Sequence, residues 1–270
     1  MPRLFQTALG FSLGLLVAIA PACAFDSASD LDWLQQEAVP QAPAQRRGAD
    51  APPLFRAALP LHTRGEMEIA GETTELLSAV RAGNLARVKQ LLKAGAQPNA
   101  ADLRGERALP LAVRAGRLEL ARQLLAQGAS PDLRGADGLT PLCIAALDGN
   151  TAVVRVLLKA GADVDLRSAH GNTPLLDAVL MNRPAVVRAL LAHDPDLERH
   201  DREGLHALAM AARDGRGEIL EALLAHGTDL EFPDKGNRTA LFWAIYKRQR
   251  HSVDLLLARG ADPGAMSTDF

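Results

Sequence analysis

TPLCIAALDGNTAVVRVLLKAGA, residues 140–162, decides the fold. Proline follows threonine at its start. A helix needs no amide donor in its first turn, and proline presets φ there. The threonine before it is a side-chain cap. Gly149 then interrupts the apolar run, at a place where a left-handed residue ends a helix. A second stretch carries Val153, Val156, Leu157 and Leu158 on a buried face. Gly161-Ala162 closes it. The spacing predicts two short helices, the first from Pro141 to about Leu147.

The same unit recurs on both sides. Its Leu-Leu-x-x-Gly-Ala element stands at Leu91-Leu92…Gly95-Ala96, Leu124-Leu125…Gly128-Ala129 and Leu157-Leu158…Gly161-Ala162. It continues in altered form at Leu190-Leu191…Asp194-Pro195 and Leu223-Leu224…Gly227-Thr228, and ends at Leu256-Leu257…Gly260-Ala261. Every step is 33 residues, with no insertion. A fixed period of this size marks a solenoid of stacked units.

These residues resemble the ankyrin repeat family. Thr140-Pro141-Leu142-Cys143-Ile144-Ala145-Ala146 and Gly171-Asn172-Thr173-Pro174-Leu175-Leu176-Asp177-Ala178 come nearest to its signature. The resemblance implies an all-α solenoid of about six helix-turn-helix units, each with a short β-hairpin tip, over residues 72–265. Gly83, Gly116, Gly149 and Gly215 fall between the paired helices; Asn182 and Arg248 fill that slot in repeats four and six, the arginine at a strain cost. Repeat one, Glu72 to Ala100, is expected to be a polar cap. Repeat four is expected to be the weakest, since Asp194-Pro195 replaces Gly-Ala. The family's signature histidine is missing from all six units: its slot holds Leu77, Pro110, Cys143, Leu176, Ala209 and Phe242. In the family that imidazole bridges hairpin and helix.

Upstream, Met1-Pro2-Arg3 precedes an apolar run from about Ala8 to Ala20, then Pro21 and Ala22-Cys23-Ala24. This pattern predicts a secretory signal peptide over residues 1–24, cleaved after Ala24, and a periplasmic mature chain. Secretion, an uncleaved anchor and lipidation at Cys23 are the alternatives. Residues 25–71, with Pro40, Pro43, Pro52, Pro53 and Pro60, read as a linker holding a short helix near 30–37. Residues 266–270 are a tail.

The 270-residue chain has 30 basic and 32 acidic residues, a formal net charge of −2. That balance argues against nucleic-acid binding along the chain. Hydrophobic residues make up 48%, enough to bury a core. With Cys23 removed, Cys143 is the lone thiol, and it reads as inert packing. No phosphate-binding loop, His-Glu-x-x-His or Gly-x-Ser-x-Gly motif occurs. His193 and His226 share one repeat position and read as cations at helix C-termini rather than a metal pair. No catalytic residue, cofactor, metal or small-molecule substrate is expected.

In the family, recognition uses hairpin tips and the exposed face of the first helices. The resemblance places Arg104 and Arg114 there in repeat two. Asp137, Leu139, Leu147 and Asp148 follow in repeat three, then His170, Leu180 and Met181 in repeat four. Leu205 and Arg213 come from repeat five, and Arg238, Trp243 and Tyr246 from repeat six. Leu139, Leu147, Leu180, Met181 and Leu205 would form an apolar middle rimmed by charge, as protein-binding surfaces are. The expected function is a non-enzymatic, monomeric adaptor that holds a protein partner in this groove. A secreted effector, or a protein that neutralises a toxin, is the alternative.

Overall fold

The computed structural model describes residues 64–265. The signal peptide, the helix near 30–37 and the tail lie outside the described residues, as does most of the linker. Among the described residues twelve α-helices follow one another in pairs. They are α1 (Arg64–Ala82) with α2 (Leu85–Lys93), α3 (Ala108–Arg114) with α4 (Leu118–Ala126), and α5 (Pro141–Asp148) with α6 (Thr151–Lys159). The rest are α7 (Pro174–Leu180) with α8 (Pro184–Leu191), α9 (Ala207–Arg213) with α10 (Gly217–Ala225), and α11 (Ala240–Tyr246) with α12 (Arg250–Ala258). From α3 onward each first helix starts 33 residues after the last. First helices pack on first helices, and second helices on second helices.

One boundary differs from the sequence reading. α1 begins at Arg64, eight residues before the expected start of the array at Glu72. The prolines stop at Pro60, and residues 64–71 are mostly good helix formers, so no residue there breaks the helix.

Local chemistry accounts for the helix ends. Thr140, Thr173 and Thr239 cap α5, α7 and α11, their hydroxyls accepting the amides of Cys143, Leu176 and Phe242 at 3.1, 3.3 and 3.3 Å. Asn84 and Asn150 cap α2 and α6 in the same way. Arginine takes the asparagine position before α4 and α8. There Arg117 donates to the Val80 and Arg81 carbonyls, and Arg183 to that of Leu147, so each ties down the first helix of the preceding repeat. Between the paired helices the backbone is left-handed, at φ +79° in Gly149, +53° in Asn182 and +56° in Arg248. Arg248→Gly is therefore expected to stabilise the chain by about 0.5–1 kcal/mol, read from urea unfolding.

The core is a double row. Leu109, Leu142, Leu175, Leu208 and Leu241 line the first helices, and Leu124, Leu157, Leu190, Leu223 and Leu256 the second; all ten are buried. Each unit buries its faces only against its neighbours, so stability is shared along the array. Among the described residues no unit follows the sixth. Ile245 is 45% exposed, although Val113, Ala146, Val179 and Ala212 are buried at the same register. Leu257 is 44% exposed, against 6% for Leu158.

Candidate functional site

The hairpins are stiffened by aspartates, with no signature histidine available. Asp102 Oδ1 accepts the amides of Arg104 and Glu106, both at 2.9 Å. Asp201 holds Leu205 N–H, and Asp234 Oδ1 holds those of Gly236 and Arg238 at 2.7 and 2.9 Å. Successive hairpins are also tied to each other: Ala169 N–H donates to the Gly138 carbonyl and Lys235 N–H to that of Gly204. Arg134 and Arg167 each reach a backbone carbonyl one repeat on, at Arg167 and His200.

On this frame the first helices end in a strip: Arg114, Leu147 with Asp148, Leu180 with Met181, Arg213 with Asp214, and Tyr246 with Lys247. Leu180 and Met181 are exposed to 42% and 41%. Leu147 and Leu139 are half-buried, while Arg104, Asp148, His170 and Tyr246 are exposed. Leu205 is a correction. It is 1% exposed, so it packs inside the fold and presents nothing to a partner. The apolar middle is therefore Leu139, Leu147, Leu180 and Met181, without Leu205. Leu103, at the first hairpin tip, is a fully exposed leucine that pattern reading passes over, because it sits between charges.

Several of the charges are already paired. Arg114 bonds Asp137. Arg213 bonds Asp214 at 2.7 Å and Glu203 at 3.1 Å, and the Asp214 hydrogen bond is the main reason its guanidinium is held above the ordinary arginine value. Burial raises the Asp148 carboxyl, against the pull of Arg114 and Arg183. At the far end Arg238 lies 4.4 Å over the Trp243 ring and bonds Asp234 at 3.0 Å. The Trp243 indole N–H donates to the same carboxylate at 2.9 Å. Burial works to raise Asp234, but the Arg238 amide and the indole outweigh it and hold the carboxyl below its ordinary value. Trp243 is thus half-buried and locked in the end unit, whereas Tyr246, stacked on Phe242, presents its ring outward.

The remaining chemistry is sparse. Burial, and next the Asp177 charge, push the Cys143 thiol up to about 12, so at neutral pH it is a packed, protonated group. His226 approaches Asp194 at 3.7 Å beside a helix C-terminus. Among the described residues no set of three or more metal-ligating side chains converges. Among them, too, no helix is long and apolar enough to cross a membrane.

Such an array is a helical-repeat solenoid with a ridge of hairpins and helix ends along one side. The family model for ankyrin repeats (3 copies) matches residues 111–201 and 193–267, more than half of the chain, which therefore belongs to the ankyrin repeat family. The crystal structure of the ankyrin repeat domain of Bcl-3, described as a unique member of the IkappaB protein family, is similar to it. The identity is 27% and the TM-score 0.66, over 70% of this chain and 86% of that one. No curated protein matches the chain. Ankyrin repeats are in general protein–protein interaction modules and typically non-enzymatic scaffolds.

Proposed function

We propose that the chain is an exported, non-enzymatic adaptor of the cell envelope, retained in the periplasm, that captures a partner protein along its strip of hairpin tips and helix ends. One observation carries this reading. Leu180 and Met181 stand exposed side by side at the middle of the array, while Arg114 with Asp137 and Arg213 with Asp214 form ion pairs on either side. An apolar centre with a satisfied polar rim is the anatomy of a recognition surface. The amino-terminal segment, with its basic start, apolar run and small residues around Ala24, supports export. The protonated thiol of Cys143 supports a binding role over a chemical one.

The test is crosslinking in intact cells followed by affinity capture. Leu180→Asp combined with Met181→Asp is expected to abolish recovery of the partner. The melting temperature is expected to stay within about 2 °C, since surface changes seldom exceed about 0.5 kcal/mol. Loss of folding would place the two side chains in the core. Recovery of the chain from the medium or from another cell's cytosol would favour the effector reading.

A further inference from the structure

The second helices carry a charge pattern of their own. α2, α4, α6, α8, α10 and α12 pack side by side in that order. At one register position, repeated every 33 residues, they hold Lys89, Arg122, Arg155, Arg188, Glu221 and Asp254. All six residues are exposed. Packed helices stand about 8–10 Å apart, so the surface bears a row of four cations followed by two anions. Within the chain the row is little used. Arg188 reaches Glu218 at 3.8 Å and Arg122 reaches Glu119 at 3.6 Å, all four largely exposed. Lys89, Arg155, Glu221 and Asp254 are in no ion pair with a described residue.

Neighbouring like charges repel and add nothing to folding. Their order acquires a use only against another surface. Over repeats three to six it reads plus, plus, minus, minus, and turned end to end it reads minus, minus, plus, plus. The row is therefore complementary to itself. A two-fold axis between α8 and α10 sets Arg155 against Asp254 and Arg188 against Glu221, each pair twice. An axis one repeat back, between α6 and α8, sets Arg155 against Arg188. An axis on α10 sets Glu221 against itself.

The surface at the favoured axis admits close approach. Between α8 and α10 lies an open groove of about 420 Å³, beside Arg188, with Leu191, Ala192, Ala222 and Ala225 as its apolar lining. One turn after the charged position, α8, α10 and α12 carry only Ala192, Ala225 and Ala258. These methyl groups do not hold a facing helix away.

We propose that this face pairs with the same face of a second copy, as an isologous dimer kept in register by Arg155–Asp254 and Arg188–Glu221 across the interface. This departs from the monomer expected of the sequence. A polyanion laid along Lys89 to Arg188 fits less well, because Glu221 and Asp254 repel its continuation. The strip at the ends of the first helices takes no part in the pairing. A dimer thus presents two strips, and a partner with two matching surfaces is held by both.

Sedimentation equilibrium of the full chain decides the matter, at about 50 mM and about 500 mM sodium chloride, the higher salt screening exposed pairs. A reversible dimer is expected at the lower salt, and one about tenfold weaker or more at the higher. Arg155→Glu with Arg188→Glu makes the four-repeat row wholly acidic; Glu221→Arg with Asp254→Arg makes it wholly basic. Each double variant alone is expected to dimerise about a hundredfold more weakly than the parent. Mixed in equal amounts, the two are expected to recover a dimer of one each. All four changes combined in one chain restore the sign order and are expected to restore self-pairing. The proposal is overturned if the parent is monomeric at about 1 mM chain. It is equally overturned if its dimer is indifferent to salt, if either double variant pairs with itself as the parent does, or if the mixture stays monomeric. A monomeric parent that binds sodium polyphosphate through Arg155 and Arg188 would make a polyanion the occupant and also overturn it.

Discussion

Leu158→Ala will cost about 3 kcal/mol in urea unfolding, while Leu257→Ala, the same side chain 99 residues on at the same register, will cost about 1 kcal/mol or less. Leu158 lies in the last turn of α6 at 6% exposure, and its truncation leaves a cavity that the packed helices cannot close. Leu257 has no such cover and is 44% exposed. The difference reports mainly the neighbour interface, because helix position and residue type are matched. Equal costs would mean that burial between repeats is not what holds the array together.

The second large effect is pH-dependent. Burial pushes His206 down to about 4, helped by the neighbouring His200 and opposed by the Phe232 backbone and the Asp234 and Asp229 carboxylates. An ordinary histidine in the unfolded chain titrates near 6.5. Above that value both states are neutral, and the group contributes nothing to the pH dependence. As pH falls from about 6.5 toward 4, the unfolded chain binds a proton that the folded one refuses, and stability is lost. The loss amounts to about 2 kcal/mol at pH 5 and about 3 kcal/mol once both states are protonated. His206→Thr removes this dependence and restores a cap, worth about 1 kcal/mol. The packing lost with the ring offsets a similar amount. The variant is thus expected to match the parent near pH 7.5 and to exceed it by about 2 kcal/mol at pH 5. Parallel stability curves for the two proteins between pH 7.5 and 5 would show that the ring titrates normally in the fold.

Much of the architecture was legible because it is local and repeated. The leucine pairs set the period, and Thr140-Pro141 and Gly149 set the helix ends. Asn182 and Arg248 occupy the left-handed positions assigned to them. What the sequence left unread depends on contacts between repeats. Leu205 has the same place in its hairpin as the half-buried Leu139, yet it is fully buried, and no feature of its own neighbourhood reports that. The start of α1 was missed because Arg64 to Gly71 carries no family signature, only helix-permitting composition. The aspartates that stiffen the hairpins read as ordinary tip charges until their backbone partners are seen. His206 sits in plain register with Thr140 and Thr173, so the clue to its position was present. Its surroundings were not, because Phe232 and Asp229 stand more than twenty residues further along and are brought to it only by the fold.

Ile245 and Leu257 give the ladder of helices an unsealed last rung. Both side chains hold core positions that the other units bury, so amide exchange is expected to be faster in α11 and α12 than in α5 and α6. Because the step length never varies, what remains after each loss is still a properly formed shorter ladder. A partner held along the proposed strip would therefore lose contacts by degrees and not in one event.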